Sequence, residues 1–353
     1  MDRDSVRFVD TERLRVAYRE AGPPDRPTVV LVHGNVSSSV FWLPVMEALA
    51  PRWHLLAPDL RGFGDTEALA IDATRGVAEW ADDLAAFRAA LHLEAPLHWV
   101  GWSLGGGVVM QTAITRPELV ASLALIAPLS PFGFGGTVDT AGRWAFDDAA
   151  GSGAGTVNAQ FVARLAAGQQ EAADEVSPRA VMNAMYFRPP FRMTPALEDR
   201  LVGGMLSTRV GPGFYPGSSE ASPNWPGQAP GKDGIANAMA PRWVNLAGLA
   251  EMPVPIPVLW VRGSEDRIVS DGSWMDLATL GQLGAVPGWP GPEVMPPQPM
   301  VTQTRRVLER FAARGGRYRE VVVEETGHAP HLERPDVVLP HLEALWNGVR
   351  VQP

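Results

Sequence analysis

The stretch Leu97-His-Trp-Val-Gly-Trp-Ser103-Leu-Gly-Gly-Gly107 decides the fold. Leu97–Val100 is an apolar, strand-like run, and Val108–Thr115 is a helical run stopped by Pro117. Between them sits Gly101-Trp-Ser-Leu-Gly105, a G-x-S-x-G sequence at a strand-to-helix turn. A serine there takes a strained backbone conformation, which is tolerable only where its neighbours carry little side chain. The turn lifts the hydroxyl above the sheet edge and aims the unpaired N–H groups of the following helix at the same point. The bland alternative is a plain glycine-rich turn. The strand–turn–helix setting favours Ser103 as a nucleophile.

Outward from this turn, short apolar runs alternate with helical patterns through residue 128. Arg13–Glu20, Trp53–Pro58 and Val120–Ala127 read as strands, and Thr28-Val-Val-Leu-Val32 as a strand buried on both faces. Thr74–Leu91 carries Val77, Trp80, Ala81, Leu84, Phe87 and Leu91 at helical spacing. This alternation predicts an α/β fold with a mostly parallel, doubly wound sheet and helices on both faces. From Leu129 to Met252 the chain turns rich in Gly, Ala, Pro and Met, with helical patterns over Thr156–Ala173, Pro178–Tyr186 and Thr194–Leu206. The apolar residues Phe161, Met182, Met185, Phe187, Met193 and Leu197 favour a helical insertion there over a disordered linker. Strands resume at Pro257–Val261 and Tyr318–Glu325, with helices over Val301–Ala313 and Asp336–Gly348. A second insertion, Ser270–Pro299, is full of Pro and Gly, and its purpose does not follow from the sequence.

A serine hydroxyl is a weak nucleophile unless a base takes its proton and a carboxylate orients that base. Of the seven histidines, His328 follows the last strand through Thr326-Gly327, where the loops of an α/β sheet gather functional groups. His331 is its weak rival, and His54, His92 and His98 read as structural. The acid belongs between serine and histidine in chain order. Asp266, just beyond the strand at Pro257–Arg262, is preferred over Glu265 and Asp271.

Taken together, Gly101-Trp-Ser-Leu-Gly105, His33-Gly34-Asn35, Asp59-Leu-Arg-Gly-Phe-Gly64, Gly263-Ser-Glu-Asp266 and Gly327-His328 resemble the α/β-hydrolase fold family. The resemblance covers roughly residues 5–128 and 253–350. It implies a core made of 1–128 and 253–353, with 129–252 inserted after the sixth strand as a cap. It also implies a Ser103–His328–Asp266 triad and an oxyanion hole formed by the backbone N–H groups of Leu104 and Asn35, with Val36 as an alternative donor. Trp102 and Val36 are expected among the substrate contacts, and Trp144, Met182, Met185 and Trp225 either line an apolar acyl pocket or belong to the cap core. The segment at Asp59 is expected to be a structural turn. His33-Gly-Asn-Val-Ser-Ser-Ser39 also looks like the loop of haloalkane dehalogenases in which the asparagine side chain helps hold the halide. Those enzymes and epoxide hydrolases use an aspartate nucleophile to form an alkyl ester, and Ser103 disfavours both reactions.

Composition narrows the field further. The 353 residues carry 30 basic and 39 acidic side chains, a net charge of −9, which argues against a general nucleic-acid binder. There is no cysteine, and Lys232 is the only lysine, so thiol, iron–sulfur and Schiff-base chemistry are excluded or improbable. No metal cluster or dinucleotide fingerprint appears, and no cofactor is expected. With no signal-type or membrane-length apolar run, a cytoplasmic protein is the expectation. The expected activity is hydrolysis of an apolar carboxylic ester or lactone, with perhydrolysis as a side reaction this triad could support. The alternatives are a carbon–carbon hydrolase of the meta-cleavage-product type, with Arg143, Arg188 and Arg192 as candidate carboxylate partners, and a non-catalytic ligand-binding protein. Acyl preference and oligomeric state stay open.

Overall fold

The computed structural model describes residues 5–253 and 256–348. Residues 1–4, 254–255 and 349–353, at the edges of the expected core segments, lie outside the described residues. Eight strands form one sheet: β1 (Arg7–Asp10), β2 (Arg15–Ala21), β3 (Thr28–Val32), β4 (His54–Pro58), β5 (Leu97–Trp102), β6 (Val120–Ile126) and, beyond a two-stranded ribbon of β7 (Ser219–Ala221) and β8 (Gln228–Pro230), β9 (Pro257–Gly263) and β10 (Arg317–Val323). Their spatial order is β1-β2-β4-β3-β5-β6-β9-β10. The β1–β2 and β2–β4 pairs are antiparallel, and every other pair in this sheet is parallel. The sequence reading missed β1, whose half-exposed edge carries only a short, weakly apolar run.

The central strands are buried along almost their whole length, because helices cover both faces. Trp42, Trp80, Trp99, Trp102, Trp260 and Trp346 are fully buried and dominate the core by volume. The helix Leu104–Thr115 packs so closely against the sheet that its glycines are required. A Cβ on Gly105 would lie 2.3 Å from the Val32 carbonyl oxygen and 2.5 Å from that of His33. On Gly106 it would meet the Pro128 side chain at 2.5 Å, and on Gly101 the Gly105 carbonyl at 2.3 Å.

Between β6 and β9 the chain forms the helices Ala159–Ala166, Pro178–Tyr186 (whose second half, from Met182, is a π-helical turn), Pro195–Leu206 and Ile235–Ala238, together with the β7–β8 ribbon. The first helix is shorter than its sequence pattern suggested, since Asn158 caps its start and Gly168 follows its end in a left-handed conformation.

The 270–299 segment acts as a fastener for this insertion. Gln303, on the helix that follows, accepts from Ser130 Oγ at 2.6 Å and from Gln298 Nε2 at 2.8 Å, and donates to Thr137 Oγ1 and the Asp139 carbonyl. Gln298 accepts from Gly135 N–H at 2.6 Å and donates to the Gly133 carbonyl. Both amides are buried and bonded at oxygen and nitrogen alike, the condition under which burying them is tolerable.

Glycine positions give a direct test of this packing. Gly105→Ala is expected to lower the melting temperature by many degrees or prevent folding, because backbone carbonyls rather than flexible side chains would have to move. Gly203→Ala, inside the Pro195–Leu206 helix with nothing within 4 Å of the added Cβ, is expected to stabilise by up to about 1 kcal/mol. Thermal denaturation of both variants checks the pair.

Candidate active site

The parallel register collects the chemistry at one edge of the sheet. Ser103 follows β5, the His33–Val36 loop follows the neighbouring β3, Asp266 lies three residues past β9, and His328 lies five past β10. All four points stand at the carboxyl ends of strands, where an open α/β sheet places its ligands.

Ser103 has φ 56° and ψ −120° and caps the helix that begins at Leu104. Its N–H donates to the Ile126 carbonyl at 3.0 Å, and its own carbonyl accepts from Gly106 at 2.9 Å and Leu129 at 2.8 Å. A positive φ on a residue with a Cβ costs on the order of 1–3 kcal/mol and persists only where the surroundings fix it. Those backbone bonds fix it here. The serine side is partly exposed, whereas Gly101, Trp102, Leu104 and Gly105 around it are buried. Leu104 is the first residue of its helix, so its N–H has no acceptor within the helix.

Asp266 and His328 meet because their loops cross. Gly263 lets them do so: a Cβ there would lie 2.0 Å from the Gly327 carbonyl oxygen. Glu265 N–H donates to the Thr326 carbonyl at 2.9 Å, and Glu325 N–H to Ser264 Oγ at 2.9 Å. His328 Nδ1 is 2.8 Å from Asp266 Oδ2, while Asp266 Oδ1 accepts from the N–H groups of Ile268 and Val269. Both side chains are buried. Among the rivals, Glu265 is exposed and bonded to Arg188 Nε, and Asp271 accepts from Val301 and Thr302 at the start of a helix. His331 is buried between Trp42 and Trp102, with neither ring nitrogen bonded to a described residue, and burial pushes it down to about 3. Among the described residues, no carboxylate bonds either nitrogen to orient the ring.

On the other side of Ser103, a Cβ on Gly34 would come within 2.9 Å of the serine Cβ, so the β3 loop lies directly against Ser103. His33 is buried, and desolvation lowers its pKa below the ordinary histidine value. Its Nδ1 bonds the Gly34 carbonyl at 2.8 Å, and its Nε2 accepts from Leu60 N–H at 3.0 Å. Ser37 Oγ also donates to the Gly34 carbonyl, at 2.7 Å. Val36 has φ 45°, an outlier for a β-branched residue. Asn35 Oδ1 is buried with no partner among the described residues.

Asp59 accepts from the N–H groups of Ser39 and Asp65, and its carbonyl accepts from Thr66 Oγ1, which makes it a brace for the turn after β4. Trp102 has no exposed surface; its indole donates to the His328 carbonyl at 2.8 Å and its ring stacks on Phe41. That side chain backs the histidine loop and lines no open space. Met182 is likewise fully buried, and Trp225 donates to the Pro287 carbonyl, within the 270–299 segment.

Two residues near the site were missed in the sequence. Tyr186, in the insertion, lies against Trp102 and His328. Glu333, five residues beyond His328, accepts from the N–H groups of Gly327 and Arg188, both at 2.8 Å, and so ties the histidine loop to the insertion. Burial outweighs these two donors and pushes the Glu333 carboxyl up to about 7. No spacing signal marks either residue.

The family model for the α/β-hydrolase fold matches residues 27–288. The chain belongs to the α/β-hydrolase fold family. It is 26% identical to epoxide hydrolase A of Mycobacterium tuberculosis, in an alignment covering 100% of both chains. It is 35% identical over 136 residues to the dihydrolipoyllysine-residue acetyltransferase component of the acetoin cleaving system of Cupriavidus necator, covering 38% of this chain and 34% of that one. The chain thus spans about a third of the length of the first curated relatives it matches. Among solved structures, an esterase from Rhodococcus sp. ECU1013 matches with a TM-score of 0.60 and 20% identity, over 98% of this chain and 99% of that one. At that identity the likeness carries the fold alone. Among the described residues, no helix is long and apolar enough to cross a membrane, and no cluster of three or more potential metal-binding side chains occurs.

Glu333 supplies a pH test with a definite sign. Its folded value, about 7, lies above the ordinary carboxylate value, so the folded state holds this proton more tightly than the unfolded state. The resulting contribution to stability is present at acid pH and is lost as pH rises through 7. Glu333→Gln does not titrate. The melting temperature of the variant relative to wild type is therefore expected to rise between pH 5 and 8; a difference flat across that range would show that the two backbone donors keep the carboxylate ionised throughout.

Proposed function

We propose that this protein is a serine hydrolase of carboxylic esters or lactones working through an acyl-enzyme. The observation that carries this reading is the hydrogen-bonded His328–Asp266 pair gathered at the same sheet edge as Ser103 in its positive-φ turn. Ser103 Oγ attacks the acyl carbon while His328 Nε2 takes the hydroxyl proton. Asp266 holds the Nδ1 proton and stabilises the imidazolium. The carbonyl oxygen becomes an oxyanion that accepts from Leu104 N–H and from a donor of the β3 loop, Asn35 or Val36. Each donor of this kind is worth about 3 kcal/mol of barrier. Collapse expels the alcohol, which receives the proton from His328. Water, deprotonated by the same nitrogen, then attacks the acyl-enzyme and releases the acid and free Ser103.

Residues 129–252 serve in this reading as a cap that screens the acyl-enzyme from bulk water. Epoxide opening, the activity named for the full-length relative, fits this chain poorly, since Ser103 stands where an alkyl-ester intermediate needs a carboxylate. The carbon–carbon reading loses its proposed anchors. Arg143 pairs with Asp139, Arg188 with Glu265, and Arg192 donates to the backbone carbonyls of Asn183 and Phe191. A non-catalytic binding role does not account for the retention of serine, histidine and acid together. The substrate is expected to be a small apolar molecule, with no cofactor.

Turnover of a series of p-nitrophenyl esters of increasing chain length is the direct test. Saturable hydrolysis that vanishes in Ser103→Ala is expected, and the chain-length optimum sizes the acyl site; no Ser103-dependent turnover on any ester or lactone would sink the reading. In Asp266→Asn the fold is expected to persist while kcat falls about 10³–10⁴-fold, because the amide favours the wrong tautomer of His328. Circular dichroism alongside steady-state kinetics separates that loss from misfolding.

A further inference from the structure

Tyr186 ends the Pro178–Tyr186 helical segment of the insertion, far in sequence from the β3 loop. Its hydroxyl donates to the Val36 carbonyl at 3.1 Å and lies 3.2 Å from the Asn35 carbonyl. Its own carbonyl accepts from Ala329 N–H at 3.0 Å, next to His328. One residue of the insertion therefore touches the backbone on both sides of Ser103. The ring is buried, and burial raises the phenol above its ordinary value, so it remains a donor across the neutral and mildly alkaline range.

The two carbonyls it holds are those that flank Val36. Rotation about φ of Val36 swings the 35–36 peptide, and rotation about ψ swings the 36–37 peptide. A single hydroxyl on both oxygens thus restrains both dihedrals of a valine held at φ 45°. Because each peptide is planar and trans, fixing the Asn35 carbonyl also fixes the opposite direction of the Val36 N–H. The preceding peptide is held separately, through the Gly34 carbonyl, by His33 and Ser37. The β3 loop therefore has an internal lock on the Asn35 N–H and an external lock, supplied by the insertion, on the Val36 N–H.

We infer that Tyr186 is a positioning residue for the oxyanion hole, keeping the Val36 backbone in its left-handed conformation so that the β3-loop donors face Ser103 only when the inserted segment is docked. This rests on the serine-hydrolase reading above. It makes the insertion part of the machinery that stabilises the transition state, in addition to covering the substrate. A group acting this way favours the tetrahedral state over the planar ester, and its loss falls on kcat with KM little changed.

Tyr186→Phe keeps the ring and removes the hydroxyl. The expected result is a fall of tenfold or more in kcat on the best p-nitrophenyl ester, KM within twofold, and an equal fall in the rate at which a fluorophosphonate, whose phosphoryl oxygen occupies the hole, labels Ser103. Labelling of the wild type but not of Ser103→Ala tests the underlying reading by itself; if the wild type is not labelled, that reading fails. If the wild type is labelled and Tyr186→Phe matches it in kcat and labelling rate, or changes only KM, the positioning role is overturned. Should Tyr186→Phe also lose thermal stability, the comparison moves to a Val36→Gly background, since glycine accepts φ 45° without a side-chain penalty. Removing the hydroxyl there is expected to cost threefold or less in kcat, and an undiminished tenfold cost would overturn the proposal.

Discussion

The approach of the Leu104–Thr115 helix to the β3 strand end sets the geometry around Ser103. With Gly105 against the carbonyls of Val32 and His33, the first helical turn sits one atom layer above the sheet edge. That closeness brings the β3 loop alongside Ser103 at the start of the helix. The second close crossing, at Gly263 and Gly327, performs the same service for Asp266 and His328. Both are contacts of backbone on backbone, so the spacing cannot drift with the choice of side chain.

Much of this was legible in the sequence because the elements concerned obey local rules. The G-x-S-x-G turn, the β-branched run at Thr28–Val32 and the short distances from strand ends to Asp266 and His328 are each written within a few consecutive residues. The same holds for the brace at Asp59. The unread parts depend on partners distant along the chain. Gln298 and Gln303 look like any polar pair near a helix start, and only the fold reveals that both are buried against residues 130–139. Tyr186 lies 150 residues from the loop it holds. Trp102, by position a neighbour of the substrate, turns inward because its indole N–H finds the His328 carbonyl, and a buried indole needs an acceptor.

The electrostatics of the region are economical. Asp266 is satisfied by two backbone donors and one imidazole, and Glu333 accepts from two backbone donors. Fixed dipoles of this kind act strongly where water is excluded and require no rearrangement as charge develops. Two cations of the insertion are committed to ion pairs, Arg179 with Glu198 and Asp199, and Arg188 with Glu265.

The glutamine pair has a consequence for how this chain can be recombined. The segment between β6 and β9 and the stretch from Gln298 to Gln303 stand on opposite sides of β9 in sequence, yet the two buried amides find most of their partners in residues 130–139. Grafting the first onto another core without the second would strand the Gly133 and Thr137 contacts and expose a face shaped for two buried amides. Modularity here does not follow chain continuity: the unit that can be exchanged is a discontinuous pair, and β9 with the acid loop passes between its halves.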